Sequence, residues 1–488
     1  MGPTPPGRSG VVARPATEAS LRDFVVPAPA PEHRGRATVV ALILIVAVGA
    51  VFRLWDLGSH RLGFDEAFTA MAGRKDLGSL FSYLRVRDSH PPLDYLLHAP
   101  LARAGVDEFL FRWPSVVCSV GALALFAWWM RNRGVAGIVA TGLLALNAFE
   151  LAHGREARMY AELEIVGVGA AVLADSWLRR PRSWHAPAIG VLAFLGLFTH
   201  VSMFLLGAGL LLLAGRRTDR EAWRWRLALA AAVLGWAVLW GPTFLAQSNG
   251  GHSNWIPRTS PSIIVDTFGA LAVRQAGLHL VALVAIAAGA VLLWRSDRWL
   301  GRVFGCCVIV PAVLGALIGL TAPVMLDRSF TLIAWGPCLA LGYLVGGFTH
   351  RSRILGAVAI GALALVMIPT AVTAVDGRSN VDRALRHVER VARPGDVVAS
   401  HPGGRLHLLL WSIAVRRDVP YRAVPLVGLR DAQGVRLGHG PQSGRTWLLE
   451  STGRVNDEGK QRCAPNRSYG SLHVVCLRGA VAVDPRAR

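Results

Sequence analysis

Charge is scarce in this chain of 488 residues: 17% of them are Asp, Glu, Lys or Arg, whereas 53% are hydrophobic and the mean hydropathy is +0.41. A soluble chain of this length would form a few domains of about 150 residues each. Here uncharged apolar runs, such as residues 37–51 and 227–246, recur along most of the sequence. About 20 apolar residues span a bilayer as a helix. The composition therefore excludes a soluble protein and indicates a polytopic α-helical membrane protein.

Acidic residues are also few, which leaves a formal net charge of +21. In a soluble protein this excess would suggest a nucleic-acid partner. Here the cations lie in short loops between apolar runs, and alternate loops carry carboxylates instead. Because basic loops stay cytoplasmic, the charge reports topology and no nucleic-acid partner is expected. The basic loops contain Arg131, Arg133, Arg179, Arg180, Arg182, Arg216, Arg217, Arg220, Arg224, Arg226, Arg295, Arg298, Arg302, Arg351 and Arg353.

Lysine is nearly absent, since only Lys75 and Lys460 occur, and this skew to arginine is typical of a GC-rich bacterial genome. The sequence thus predicts a multi-pass protein of a bacterial plasma (inner) membrane. Its N-terminus is expected inside and its C-terminus outside.

Cysteine is rare as well, with six residues. Cys463 and Cys476 lie in the C-terminal tail, which the topology puts outside. A disulfide between them can form there, because that side of the membrane is oxidising. The other four fall inside apolar segments and are interpreted as small core residues: Cys118, Cys306, Cys307 and Cys338.

The order of apolar and polar segments predicts three parts. Residues 1–36, rich in Pro, Ala and Arg, are expected to form a disordered cytoplasmic tail, too long and too polar for a cleaved signal peptide. Residues 37–375 are expected to form a transmembrane module of about 11 helices, with a long outside loop at 56–110. A small extracytoplasmic α/β domain is predicted at 376–488, where an amphipathic helical pattern precedes alternating, strand-like patterns.

One apolar stretch, residues 186–215, is too long for a single span. Both its ends carry basic clusters, and Thr199-His200 stands at its middle. This pattern predicts two short helices that meet near the outer face.

Ionisable residues near the hydrocarbon region are costly, so their positions are informative. Nearly all of them cluster at the predicted outer ends of helices, although they come from separate parts of the chain. A carboxylate there could act as a base, and cations could hold an anionic group. The clustered residues are Asp65, Glu66, His90, Glu150, His153, Arg155, Glu156, Arg158, Tyr160, His200, Asp327 and Arg328.

Several motifs follow one another in a fixed order. Asp65-Glu66 follows the first helix, His90-Pro91-Pro92 comes later in the same loop, and residues 111–115 (Phe-Arg-Trp-Pro-Ser) open the second helix. Residues 154–160 (Gly-Arg-Glu-Ala-Arg-Met-Tyr), Thr199-His200, and an Arg after a Pro-containing loop come next. Over residues 37–375 this ordered set resembles the integral-membrane glycosyltransferases of the GT-C class. The most similar branch is the bacterial one related to protein O-mannosyltransferases and the lipid A aminoarabinose transferase.

The resemblance implies a polyprenyl-phosphate-linked sugar donor, used outside the cytoplasm without a nucleotide sugar. Asp65 would be the catalytic base that deprotonates an acceptor hydroxyl, and Glu66 would position the acceptor or share that role. Inversion at the anomeric carbon would follow, with lipid phosphate as the leaving group. The resemblance further implies donor phosphate-binding residues Arg155, Arg158 and Arg328 and substrate-lining residues His90, Glu156, Tyr160 and His200.

The resemblance allows a divalent cation near Asp65 but does not require it, because some members of the class use one and others do not. The sequence has no His-x-x-x-His spacing, so no metal ligands are assigned. The acceptor is expected to be a cell-envelope glycan, lipid or protein outside the cytoplasm, and mannose or arabinose would be the natural sugar. The repeated luminal domain of the eukaryotic O-mannosyltransferases has no counterpart here, which weakens the case for a protein acceptor.

Each motif also has a structural interpretation. Asp65-Glu66 could be a solvated pair or a helix N-cap. His90-Pro91-Pro92 could serve simply to end a helix, without a role in the site. Arg155 and Arg158 could anchor lipid headgroups, and Arg328 could pair with a nearby carboxylate. His200 could be a buried turn histidine.

Two alternative functions remain at this stage. A transporter or flippase of lipid-linked sugars would bury polar groups at the midplane and often show internal repeats. This chain has nearly uncharged midplanes and no clear repeat, although the paired short helices at 186–215 would suit such a protein. A GT-C-like scaffold without activity is the other alternative, and the intact Asp65-Glu66 pair argues against it.

Overall fold

The computed structural model describes residues 35–215, 217–249, 256–376 and 380–391, and the strands 397–400, 422–423, 445–450, 462–469 and 472–478. The predicted cytoplasmic tail, residues 1–36, falls almost wholly outside this range. In chain order the helices are α1 (Arg36–Leu54), α2 (Phe64–Gly73), α3 (Leu77–Arg87), α4 (Leu93–Ala104), α5 (Glu108–Phe111), α6 (Trp113–Met130), α7 (Gly134–Leu146), α8 (Ala148–His153), α9 (Tyr160–Arg179), α10 (His185–Thr199), α11 (Met203–Gly215), α12 (Arg220–Asn249), α13 (Pro261–Ala270), α14 (His279–Ser296), α15 (Arg298–Phe304), α16 (Val310–Gly319), α17 (Trp335–Arg351), α18 (Arg353–Asp376) and α19 (Asn380–Val391).

Short non-α turns join some of these helices. A 3₁₀ turn, Ala276–Leu278, precedes α14, and a π turn, Gly305–Ile309, joins α15 to α16. A second 3₁₀ segment, Asp327–Ile333, precedes α17 and is called the 327 segment below.

In the described part of the chain, six helical segments are long and apolar enough to cross a membrane. They are α1, α6, α12, α14 with its 3₁₀ turn, α15 to α16, and α18. The 327 segment and α17, bent by 60° relative to each other, make a seventh when counted as one span. The prediction of a multi-pass, polytopic helical membrane protein is therefore confirmed.

The sequence predicted about 11 spans, more than the number that pass by length and composition. The difference comes from helices that are short or polar. α7 and α11 have 13 residues each and α10 has 15. At 1.5 Å per residue, 13 residues cover about 20 Å, less than the roughly 30 Å of a hydrocarbon core. α9 has 20 residues but carries Glu162, Glu164, Asp175 and Arg179.

The predicted break in the apolar stretch 186–215 is confirmed. α10 ends at Thr199 and α11 begins at Met203. His200 takes an extended backbone conformation at this break, so the two apolar helices do not continue into each other.

α9 is largely enclosed in the bundle and packs on α6, α10 and the 327 segment. Small residues make the close approach to the 327 segment feasible. A Cβ on Gly167 would overlap the carbonyl oxygen of Leu332 and would lie 2.7 Å from its carbonyl carbon. Because the obstacle is backbone, no side-chain rotation relieves it. Glycine at this position therefore sets the distance between α9 and the segment that carries Arg328.

We expect Gly167→Ala to push the 327 segment away from α9 and to lower the stability by about 1–3 kcal/mol, the usual effect of overpacking. Thermal melting of the purified protein in detergent measures the loss. Gly207→Ala is the matched control, since Gly207 is also helical and a Cβ there would meet nothing within 4 Å. Equal melting temperatures for the two variants would contradict the packing argument.

The segment between α1 and α6 folds into four helices, α2 to α5. Their starts follow ordinary capping chemistry. Asp76 accepts a hydrogen bond from the Ser79 N–H at 2.9 Å at the start of α3, and Asp107 accepts one from the Leu110 N–H at 2.9 Å at the start of α5. Pro92 directly precedes α4, so the His90-Pro91-Pro92 motif marks a helix start.

The described strands of the C-terminal region form one sheet: β1 (Val397–Ser400), β2 (Arg422–Ala423), β3 (Arg445–Glu450), β4 (Arg462–Tyr469) and β5 (Leu472–Arg478). The strand order is β2-β1-β3-β5-β4. β1 pairs in parallel with β2 and β3, whereas β5 pairs antiparallel with β3 and β4. α19 packs on β4 and β5 and buries Leu385 and Val388. The predicted amphipathic helix and strands are thus present, and the boundaries and membrane side of this domain stay predictions.

The cysteines agree with the sequence interpretation as far as their side chains are described. Cys476 is disulfide-bonded. The side chain of Cys463 lies outside the described side chains, so the predicted pair stays a prediction. The four cysteines of the apolar segments are thiols and are not disulfide-bonded: Cys118, Cys306, Cys307 and Cys338.

Candidate active site

The first turn of α2 carries two neighbouring carboxylates with different surroundings. Negative side chains are favourable there because the N-terminus of a helix is the positive end of its dipole. Consecutive helical residues point about 100° apart. Glu66 therefore turns into the protein and is buried, whereas the Asp65 side chain keeps 26% of its surface exposed.

Glu66 is bound by groups from three parts of the chain. Its carboxylate accepts two hydrogen bonds from the Arg112 guanidinium, each 2.7 Å long. It also accepts the N–H of Gly63 at 2.7 Å and that of Ala157 at 2.9 Å. Burial acts to raise the pKa of Glu66, but the charge and hydrogen bonds of Arg112 outweigh it and the pKa is lowered. Both oxygens are thus occupied, and Glu66 fastens α2 to the start of α6 and to the turn before α9.

Asp65 pairs with Arg328, which comes from the C-terminal part of the membrane module. Nη1 of Arg328 lies 3.0 Å from Oδ2 of Asp65, although 263 positions separate the two residues. The Arg328 guanidinium also lies 6.0 Å from the centre of the Tyr160 ring. Because the two side chains are 26% and 28% exposed, the pair stays open to solvent. A carboxylate and a cation thus stand side by side where an external molecule can reach both.

Arg158 is the buried centre of a second group of polar side chains. Its Nη1 donates to the Tyr95 hydroxyl at 2.9 Å and to Oγ1 of Thr69 at 3.2 Å. Tyr95 in turn donates a short hydrogen bond to Asp88. The guanidinium nitrogen Nη2 lies 3.5 Å from Nδ1 of His90. Arg158 thereby holds together side chains from α2, α4 and the turn between α3 and α4.

Asp88 orients the histidine of the His-Pro-Pro motif. Oδ1 of Asp88 lies 2.9 Å from Nδ1 of His90. Burial acts to raise the pKa of Asp88, but His90 and Arg158 lower it well below its ordinary value. The His90 ring lies 5.5 Å from the ring of His200, which stands at the break between α10 and α11. The structure therefore brings His90, Arg158 and His200 into one cluster.

His200 is held by its own turn. Its Nδ1 accepts the N–H of Ser202 at 3.1 Å and lies 2.8 Å from the Ser202 hydroxyl. Since Nδ1 is an acceptor, the ring proton is on Nε2.

Glu156 and Tyr160 lie beside this cluster and are linked through His153. Nδ1 of His153 lies 3.4 Å from a carboxylate oxygen of Glu156, and its ring packs edge-on against that of Tyr160 at 5.0 Å. Tyr160 is buried, so the face that it offers to the Arg328 guanidinium is a wall of the site. Glu156 is 25% exposed.

Arg155 has a different environment from the other predicted phosphate ligands. Its guanidinium donates to the carbonyl of Trp55 at 2.5 Å and to that of Val375 at 3.1 Å. It thereby joins the chain just after α1 to the last turn of α18. Burial lowers the pKa of Arg155 to about 10, with a smaller contribution from Arg112. Among the described residues, no hydrogen bond connects Arg155 with Asp65 or Arg328.

Four residues of the site were not selected from the sequence: Thr69, Asp88, Tyr95 and Arg112. Asp88 stands two positions before His90, and Tyr95 lies one helical turn beyond Pro91, so their nearness to the motif was visible. Arg112 lies inside the motif Phe-Arg-Trp-Pro-Ser, but the motif by itself indicates no role for it. Its role depends on Glu66, which is 46 positions away.

The neighbourhood of Asp65 contains an arginine rather than a set of metal ligands. In the described ranges, the group of carboxylates and histidines close enough to hold an ion is Asp94, His98 and Glu162, all of them buried. Asp65 does not belong to it. A divalent cation near Asp65 therefore stays a sequence-level expectation.

The helical bundle, with Asp65 and Arg328 brought together from its two ends in sequence, defines a multi-pass membrane protein of the GT-C fold. Among solved structures, ArnT from Cupriavidus metallidurans in the apo state is similar: the TM-score is 0.56 at 16% identity, over 90% of this chain and 98% of ArnT. ArnT from the same organism bound to undecaprenyl phosphate gives a TM-score of 0.53 at 15% identity, over 89% of this chain and 97% of that one. ArnT is the lipid A aminoarabinose transferase. At these identities the likeness shows the fold alone. No protein-family model and no curated protein matches the sequence.

Proposed function

We propose that this protein is a glycosyltransferase that moves one sugar from a polyprenyl-phosphate donor to an acceptor of the cell envelope. The observation that carries the proposal is the solvent-open pair of Asp65 and Arg328, 3.0 Å apart, which joins the first turn of α2 to the 327 segment. A base and a phosphate ligand are the two groups that such a transfer needs. The ArnT structure bound to undecaprenyl phosphate supports a lipid phosphate as the carrier.

In the proposed reaction Asp65 removes the proton of an acceptor hydroxyl. The acceptor oxygen then attacks the anomeric carbon from the face opposite the lipid phosphate, and the bond from that carbon to the phosphate oxygen breaks. The products are the inverted glycoside and free polyprenyl phosphate, whose negative charge Arg328 stabilises. A guanidinium suits this role because its donors form a planar fork that matches phosphate oxygens.

Arg328 also connects the two halves of the reaction. Before the donor binds, it pairs with Asp65. A donor phosphate competes for the same guanidinium, which weakens the pair and frees the Asp65 carboxylate to contact the acceptor hydroxyl. Donor binding would in this way prepare Asp65 for the acceptor.

The other predicted site residues are assigned by their contacts. Glu66 is a positioning residue, because both its oxygens are held by Arg112 and backbone N–H groups. Arg158 organises Tyr95, Asp88 and His90 and adds positive charge behind the phosphate site.

The remaining predicted residues divide in the same way. His90, Glu156, Tyr160 and His200 line the substrate site. Arg155, which binds backbone carbonyls at helix ends, supports the bundle.

Two of the three predicted phosphate ligands, Arg328 and Arg155, can be separated by experiment. We expect Arg328→Gln to weaken the binding of undecaprenyl phosphate by about 10- to 100-fold, because a hydrogen bond to a charged group contributes roughly 1.5–3 kcal/mol. Arg155→Gln should leave this affinity unchanged and lower the melting temperature instead. Lipid titration followed by intrinsic fluorescence measures the affinity. A loss of affinity in Arg155→Gln as large as that in Arg328→Gln would contradict the assignment.

The proposal is tested with the purified protein in liposomes. The liposomes receive a panel of polyprenyl-phosphate sugars, including mannose and arabinose forms, and a cell-envelope extract as acceptor. We expect one donor to yield free polyprenyl phosphate together with a glycosylated glycan, lipid or protein. The same liposomes report movement of the labelled lipid between leaflets. Translocation without release of phosphate would replace the transferase by a flippase.

A further inference from the structure

A further polar cluster, separate from the residues around Asp65 and Arg158, lies between α4 and α9. Asp94 and His98 stand one turn apart on α4, and Glu162 stands in the first turn of α9. All three side chains are buried. One ligand atom from each residue lies within 4.8 Å of the other two. The cluster therefore gathers two carboxylates and an imidazole in a small space closed to solvent.

Most polar atoms of this cluster have no hydrogen-bond partner. Oδ2 of Asp94, both oxygens of Glu162 and Nε2 of His98 form no hydrogen bond, and Oδ1 of Asp94 lies 3.0 Å from Nδ1 of His98. More than about 90% of buried polar groups in proteins do find a partner, and each one left without costs about 1–3 kcal/mol. Four such atoms in one place point to a ligand that binds them together.

The orientation of His98 is that of a metal ligand. Its Nδ1 lies 2.9 Å from the backbone carbonyl oxygen of Asp94 and 3.0 Å from Oδ1 of the same residue. Because a carbonyl can only accept, Nδ1 carries the proton of this hydrogen bond. The lone pair of a neutral ring is then on Nε2, the atom without a partner. Metal-bound histidines commonly have their other nitrogen fixed in this way.

A proton on Nε2 is the competing explanation. It would make His98 a cation between two carboxylates. The pKa of His98 is raised to about 9, since the charge and hydrogen bonds of Asp94 outweigh the lowering effect of burial. That proton could satisfy at most one of the four carboxylate oxygens, however, and Nε2 has none of them within hydrogen-bond reach. A proton thus leaves most of the cluster unsatisfied.

We propose that Asp94, His98 and Glu162 bind a divalent transition-metal ion, with Zn²⁺ as the first candidate. Imidazole nitrogen and carboxylate oxygen are ordinary zinc ligands. Two carboxylates and a neutral imidazole cancel the double positive charge, so the occupied site is neutral inside the protein. Ligands in a tetrahedral shell lie roughly 3.3 Å apart, so binding requires a separation of 4.8 Å to close by about 1.5 Å. The fourth position is left to water.

The proposed ion would link α4 to α9 and so hold in place the active-site residues that these helices carry. α4 carries Tyr95 directly after Asp94 and begins after the His90-Pro91-Pro92 motif. α9 begins at Tyr160, two residues after Arg158. An ion shared by the two helices would fix the Tyr95 hydroxyl against the Arg158 guanidinium, now 2.9 Å away. The metal site is separate from the base and stands whether or not the protein transfers a sugar.

The full-length protein, purified in detergent without chelators after growth with added zinc, is analysed by elemental mass spectrometry. We expect about one Zn²⁺ per chain. Asp94→Asn and Glu162→Gln should each reduce this by about tenfold or more. His185→Gln is the matched control and should keep the metal. His185 is also buried, but its two ring nitrogens have partners in Arg182 and Ser176.

A measurement on the wild type covers the case in which the variants do not fold. Protein freed of zinc with a chelator is titrated with Co²⁺, and visible absorption bands of bound cobalt are expected to saturate at about one ion per chain. The melting temperature should fall on chelation and recover with Zn²⁺. Folded wild type that takes up neither Zn²⁺ nor Co²⁺ would overturn the proposal. Metal that persists undiminished in folded Asp94→Asn would overturn it as well.

Discussion

Asp65→Asn is expected to lower the rate of polyprenyl phosphate release by about 10²- to 10⁴-fold, the range that general base catalysis contributes. Asparagine has nearly the same shape and keeps an oxygen toward Arg328, but it cannot take a proton from the acceptor. Because Asp65 is partly exposed and asparagine keeps its shape, the fold should be unaffected. The measurement is release of lipid phosphate in proteoliposomes, at saturating donor and acceptor.

A control for this variant lies in the same segment of the chain. Asp76 is a carboxylate at the start of the next helix, where it caps the N–H of Ser79. Asparagine caps a helix as well as aspartate does, so Asp76→Asn should leave both activity and stability unchanged. If Asp65→Asn is as active as Asp76→Asn, Asp65 is not the base. If Asp65→Asn melts well below the wild type, its loss of activity has a structural cause instead.

Arg112→Met is expected to cost about 3–5 kcal/mol of stability, as removal of one partner from a buried ion pair does. The variant leaves the Glu66 carboxylate buried without its cation. It also removes the hydrogen bonds that Arg112 donates to the carbonyls of Leu57 and His60, at 2.7 and 2.9 Å. The segment that carries Asp65 would then lose its attachment to α6, so sugar transfer should fall together with the melting temperature.

The surface pair of Arg224 and Glu221 provides the control. Arg224 donates to Glu221 at 2.7 Å, but its side chain is 37% exposed. Arg224→Met should therefore cost only about 0–1 kcal/mol. A loss in Arg112→Met no larger than this would show that Glu66 does not depend on its partner.

The pair of Glu66 and Arg112 also predicts how the stability of the protein depends on pH. The folded protein holds the pKa of Glu66 below its ordinary value, despite burial, through Arg112. The contribution of the pair is therefore complete above the ordinary carboxyl pKa of about 4.3. It declines as the pH falls from there toward the lower pKa of the folded state. The wild type should lose more stability on acidification than Arg112→Met, in which Glu66 no longer has this partner.

The helices could be located from the sequence because their cause is local. An uncharged run, such as the one in α18, cannot avoid forming internal hydrogen bonds in a bilayer. The break at His200 was visible because the stretch 186–215 exceeds one membrane thickness. The number of spans was less well determined. α9 carries Glu162, Glu164 and Asp175 and is still packed inside the bundle, which only its neighbours make feasible.

The residues of the candidate site could be predicted from the sequence, but the role of each residue could not. The ordered motifs suggested Asp65, Glu66 and three arginines. Asp65 and Glu66 are chemically alike and adjacent, so the sequence could not separate an exposed carboxylate from one enclosed by Arg112. Arg155 and Arg158 are only three residues apart. The former binds backbone carbonyls at two helix ends, and the latter binds Tyr95.

The repeated crossing of a membrane follows from the order of residues alone, because the hydrophobic effect acts on every apolar run wherever it lies in the chain. The order of residues also indicates where chemistry can occur, since ionisable groups are costly within the bilayer and collect at helix ends. Which of those groups meet depends on how the helices pack in three dimensions. The pair of Asp65 and Arg328 joins positions 263 residues apart. The cluster of Asp94, His98 and Glu162 depends on the packing of α4 near the start of α9. Such contacts depend on the relative placement of helices, a property of the whole bundle that no local pattern encodes.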